Sequence, residues 1–161
     1  MSNSSKNEKT ATEQPTLEAQ AQALIAKFAP AHVELTGAVR QKLRKRLPGA
    51  CEIVYEYRSW FVISYSPNDH GYEGVLGIRG DAEGVKLFFN RGKELPDPQK
   101  LLKGSGRLVR SVDLEDANAL ARPAIVNLIG EAIARNPIAF GGSGHGSTIV
   151  RSASAKTKRT T

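Results

Sequence analysis

The sequence predicts an α+β fold: a two-layer arrangement with a mostly antiparallel sheet of five to six strands in meander order and helices on one of its faces. Three observations carry this expectation. Apolar residues recur at three- and four-residue spacing up to Arg46, alternate with polar ones between Cys51 and Asn90, and return to helical spacing after Pro123. The links between the alternating segments are too short for parallel crossovers, which need about a dozen residues or more. Strands that follow one another, with helices before and after them, segregate the helices to one side of the sheet.

Residues 1–15, MSNSSKNEKTATEQP, are polar and lack periodicity, so they are expected to form a disordered arm. A helix is expected from Thr16, with Leu17, Ala21, Leu24, Ile25 and Phe28 on one stripe and Pro30 at its end. A second helix should run from about Ala31 to Arg46. It aligns Leu35, Val39, Leu43 and Leu47, and Pro48-Gly49 stops it. Cys51, Ile53, Tyr55 and Tyr57 then share one face of a strand that turns at Arg58-Ser59 into a second, Trp60 to Tyr65. Turn clusters at Ser66 to Gly71 and Gly80 to Gly84 bracket a third strand, Gly74 to Arg79, and lead to a fourth, Val85 to Asn90.

A long Gly/Pro loop follows, and Arg107 to Val112 reads as the fifth strand. Pro123 opens a helix to about Arg135 whose stripe is Ile125, Leu128, Ile129, Ala132 and Ile133. After Asn136-Pro137 and the glycine-rich Gly141 to Gly146, the segment Ser147 to Ser152 is a short edge strand. Residues 154–161 have no apolar anchor and read as a basic disordered tail, leaving one domain at 16–153. Neighbouring side chains of a strand point to opposite faces, so one of Trp60 and Phe61, and one of Phe88 and Phe89, must lie on the second face of the sheet. Cover by the arms or the proline loop is expected there rather than an open groove.

At 161 residues and 40% hydrophobic composition the chain is expected to bury one core. It shows no apolar run long enough for a membrane span and no apolar stretch like that of a secretory signal near its start. Cys51 is the single cysteine, so no disulfide forms within the chain. A cytoplasmic protein is the expectation. The net charge of +7 is unevenly placed: Arg40 to Arg46, RQKLRKR, holds five cations in seven positions, and the last eleven residues add four more. Residues 47–150, with eleven basic and twelve acidic side chains, are nearly neutral. Contact with a polyanion therefore has to use Arg40, Lys42, Arg44, Lys45 and Arg46, with Lys156, Lys158 and Arg159 of the tail. Cations in the last turns of a helix also answer its negative end, but five exceed that need.

Catalytic patterns are missing. His32, His70 and His145 lie at a helix start, a turn and a glycine linker without the spacing of a triad or a metal site, and the local trio Asp69, His70 and Glu73 reads as a solvated turn. Cys51 reads as a small core filler. The most chemical motif is Lys103, Gly104, Ser105, Gly106, Arg107. Glycines let backbone N–H groups converge on an anion, and Lys103, Arg107 and Arg110 would add charge-assisted bonds. The order of a Walker loop is absent.

VYEY at Val54 to Tyr57, SYSP at Ser64 to Pro67, VKLFFNRGKELPDPQKLLKGSG at Val85 to Gly106, the arginine-bearing Arg107 to Leu114 and ARPAIVNLI resemble the YdhG-like family of bacterial domains. The resemblance spans about Cys51 to Arg135, and STIVRSASAKTKR is similar to the basic C-terminal signature of one branch. It implies a compact α+β domain and invites comparison with frataxin-like iron chaperones, whose acidic surface lies on the first helix and the neighbouring strand. Here the corresponding helix is basic; Glu52 and Glu56 share one strand face and Glu34 is nearby in sequence, three scattered carboxylates. The expected function is a non-catalytic binding or adaptor domain without metal or cofactor, its partner an anionic ligand or an acidic protein. Iron delivery and nonspecific nucleic-acid binding are the alternatives.

Overall fold

In the computed structural model, residues 16–70, 73–140 and 147–152 are described. Thr16 starts helix α1 (Leu17–Phe28) by accepting the Ala19 N–H on its hydroxyl, 3.0 Å away. Pro30 breaks the helix into a single 3-10 turn, Pro30–His32, and α2 follows as Val33–Arg46, so the second helix begins two residues after its expected start. Gly49 ends this unit with φ 84°, a left-handed conformation that favours glycine.

Six strands follow: β1 (Cys51–Glu56), β2 (Phe61–Ser66), β3 (Leu76–Asp81), β4 (Gly84–Phe89), β5 (Arg110–Leu114) and β6 (Thr148–Ser152). Their order across the sheet is β5-β4-β3-β2-β1-β6. The first five form the antiparallel meander, and β6 pairs parallel to β1 after helix α3 (Pro123–Arg135) has carried the chain back. The fifth strand starts three residues later than its apolar pattern suggests. Arg107 to Val109 remain in the loop, which is tied down by paired backbone bonds between Lys103 and Ser111.

Alternation sorts the strand residues. Val54, Phe61, Ile63, Tyr65, Leu76, Ile78, Val85, Leu87 and Phe89 are buried in one core with Ile25 of α1, Val39 and Leu43 of α2, and Ile125, Leu128 and Ile129 of α3. All three helices contribute to that face. Cys51, Ile53, Tyr55 and Tyr57 therefore share the opposite face, as do Trp60 and Phe88, while Phe61 and Phe89 enter the core. Among the described residues no helix is long and apolar enough to cross a membrane.

Candidate functional site

The basic helix divides into two groups. Arg40 is only 2% exposed and joins two carboxylates: Nε and Nη2 donate to Glu52 at 3.0 and 2.8 Å, and Nη1 and Nη2 donate to Glu18 at 3.0 Å each. Arg44 adds bonds of 2.7 Å to Glu52 and 3.0 Å to Glu18. Glu52, itself 2% exposed, also accepts from the Tyr65 hydroxyl at 2.5 Å and from Thr148 at 3.2 Å. The cluster ties α1, α2, β1, β2 and β6 together. Burial opposes ionisation of Glu52 and Glu18, but hydrogen bonds from Arg40 and Arg44, with Gln22 also bonding Glu18, outweigh it. Both carboxyls lie below the usual range, Glu18 at about 2. Burial, followed by the Glu52 charge, pushes the Tyr65 phenol well up.

This geometry corrects the sequence expectation for Arg40, while Arg44 joins the cluster and stays 43% exposed. Their charge serves an internal network, and Arg40 has no surface from which to reach a polyanion. Lys42, Lys45 and Arg46 are the exposed remainder of the run. Lys156, Lys158 and Arg159 lie outside the described residues, as do His145 and the arms at 1–15 and 154–161. Glu52 and Glu56, the carboxylates relevant to iron, are held by Arg40 and Arg44 and by Lys27 at 2.9 Å respectively. No group of three or more His, Cys, Asp or Glu among the described residues is placed to hold a metal ion.

In the loop motif, Arg110 Nη1 donates to the carbonyls of Gly106 and Val109, both at 2.7 Å, so one of the three cations expected to hold an anion is engaged by the loop itself. Lys103 faces Asp113 at 3.5 Å, and Arg107, Gly104, Ser105 and Gly106 are exposed around them. Upstream, the Asp97 carboxylate accepts the N–H groups of Leu101 and Leu102 at 2.9 Å, while Leu95, Leu101 and Leu102 pack against the core. The loop's own groups hold its path.

The face of the sheet opposite the helices carries a different chemistry. Tyr57 and Trp60 flank the β1–β2 turn and stack with ring centroids 5.0 Å apart and planes 12° apart. Arg79 of β3 lies 4.5 Å from the Trp60 ring. Among the described residues its guanidinium has this ring as partner and no carboxylate in salt-bridge range. Phe88 of β4 lies across Gly77, where a Cβ would stand 2.7 Å from the Phe88 ring and 2.1 Å from the Ile63 carbonyl. Tyr55, Val62, Ser64 and Val109 extend this floor, and Lys86 and Arg151 add cations to the same concavity of about 1080 Å³.

Asp69, Asp81 and Glu83 also line the concavity. Asp81 accepts from the N–H groups of Glu83 and Gly84, and Asp113 faces Lys86 at 3.5 Å. Burial, then the neighbouring Tyr55, raises the pKa of Tyr57 and keeps its phenol neutral at physiological pH. The Asp69, His70 and Glu73 turn sits at one rim, with His70 Nδ1 3.1 Å from Glu73. Cys51 is buried, its sulfur 3.5 Å from the Ser147 hydroxyl. The proline loop lends Val109 to this concavity, and the Asp69-His70 turn and Arg151 of β6 also reach it. The sequence left open which of Trp60 and Phe61, and of Phe88 and Phe89, lies on the second face, and did not bring Arg79, Lys86 and Arg151 there; the period-2 alternation of β3 and β4 contained the signal for Arg79 and Lys86. No family model, curated protein or solved structure matches the chain.

Proposed function

We propose that this chain is a non-catalytic binding domain that takes an anionic ligand with an aromatic or apolar part on the open face of its sheet. One observation carries the reading. Tyr57, Trp60 and Phe88 share a concave face with Arg79, whose charge rests on a ring instead of a carboxylate. Aromatic surface favours contact with a flat or apolar moiety, and a guanidinium forms directed bonds to carboxylate or phosphate. The concavity lies at or above the upper end of small-ligand pockets, about 300–1,000 Å³, which suits a ligand spread across several strands. The YdhG-like kinship of residues 51–135 belongs to the same proposal. Iron delivery finds less support, since a metal at Glu52 would have to displace two arginines.

Trp60 is the single tryptophan and reports on this face directly. Its emission should respond saturably to an aromatic carboxylate, a nucleoside monophosphate or a long-chain carboxylate, and less to the neutral counterpart of each. Arg79→Ala should remove the preference for the charged form. Equal responses to charged and neutral probes, or no response to any at millimolar concentration, would rule the proposal out.

A further inference from the structure

The part of the basic run left free by the Arg40 cluster borders a second feature, on the helical side of the molecule. Helices α2 and α3 each rest on the 3-10 turn Ala117–Ala121 and leave between them a groove of about 190 Å³. Its floor is apolar, with Leu43, Leu120, Val126 and Ile129, and Val126 remains 41% exposed. Lys42 and Arg46, one helical turn apart on α2, stand at its mouth. No lining residue is acidic. The position of Arg46 is defined from the other side as well: a Cβ at Gly130 of α3 would be 3.5 Å from Arg46 Nη2, so the guanidinium lies against the α3 backbone.

We propose that this groove docks an acidic amphipathic segment of a partner protein, with one leucine- or phenylalanine-sized side chain in the slot and flanking carboxylates on Lys42 and Arg46. The charge complement required is negative, because the groove has two cations and no acid of its own. An apolar anchor is required as well, because the floor presents aliphatic carbon and no aromatic ring for base stacking, which sets it apart from a nucleic-acid surface. The two undescribed ends of the chain do not supply such an anchor. Residues 1–15 carry two lysines against two glutamates, and residues 153–161 carry three cations and no acid; neither holds a leucine, isoleucine or phenylalanine. A helix laid in a groove, with anchors at i, i+3 or i+4, satisfies both requirements.

The test is fluorescence anisotropy of the full chain with a labelled pool of helical peptides of about 14 residues, Leu or Phe at i, i+3 and i+4 and Asp or Glu around them. A matched pool has Ser at the apolar positions, and a labelled single-stranded oligonucleotide is the third probe. The acidic-apolar pool should bind more tightly than the other two. Val126→Asp and the pair Lys42→Glu with Arg46→Glu should each weaken it by roughly tenfold or more, while Arg79→Ala leaves it unchanged. Circular dichroism of each variant confirms that these surface positions leave the fold intact. Equal binding of the Ser pool, tighter binding of the oligonucleotide, indifference to Val126→Asp, or no binding of the acidic-apolar pool at millimolar concentration would overturn the assignment.

Discussion

Arg40 stands among five cations in seven residues, yet its surroundings have little in common with those of Lys42 or Lys45. A guanidinium removed from water is tolerated only where its donors are matched, and Glu52 and Glu18 match two of its edges. Arg40→Met should therefore lower unfolding free energy by about 3 kcal/mol, chiefly because the buried Glu52 charge keeps only Arg44, Tyr65 and Thr148 as partners. Adding Glu52→Leu should recover a large part of the loss in urea titrations; no recovery would contradict this cause. The carboxylates also set a pH dependence. With folded pKa values below the ordinary 4.5, Glu18 and Glu52 contribute stability that is fully present above about pH 4.5 and lost as pH falls through their folded values, toward about pH 2 for Glu18. Urea midpoints should decline over that window, and Glu18→Gln should flatten the decline. In the sequence, Arg40 looked like its neighbours because its partners are 12 and 22 residues away. Its spacing from Thr36 and Leu43 on the buried side of α2 was the one local sign of burial.

Elements with long unmixed periods were legible from the chain. Helix α3 begins at Pro123 as expected and buries Ile125, Leu128, Ile129 and Ala132. Strand β5 was less legible, because Leu108 and Val109 extend its apolar pattern back into a loop whose path depends on Asp97, Lys103 and Arg110. The parallel pairing of β6 with β1 could not be read from five residues, since pairing direction depends on where α3 delivers the chain. In β3, Gly77 is needed for space: its missing Cβ admits the Phe88 ring and the Ile63 carbonyl. Gly77→Ala should cost about 1–3 kcal/mol by overpacking, measured by thermal or urea unfolding. It should also displace Phe88 and weaken ligand binding on the open face. An unchanged midpoint would show that the strands move apart at little cost.

At the scale of the molecule, one sheet separates two environments. Its inner face is joined to three helices through an apolar core and one ion cluster, and its outer face places rings and cations together in the open. Composition gave no view of this division, because net charge counts Arg40 and Arg79 alike although one is internally compensated and the other rests on Trp60. The α+β layering was readable because it depends on local periodicity. The candidate site was not, because it is assembled across β1, β2, β3 and β4, whose pairing the outward-facing residues do little to specify. The most direct measurement is a two-dimensional amide NMR titration with whichever anionic probe gives the strongest Trp60 response. Shifts should concentrate at Tyr57, Trp60, Gly77, Arg79 and Phe88 and disappear in Arg79→Ala. Shifts confined to Lys103–Arg110 or to Lys42–Arg46 would contradict the assignment of the ligand to the open face of the sheet.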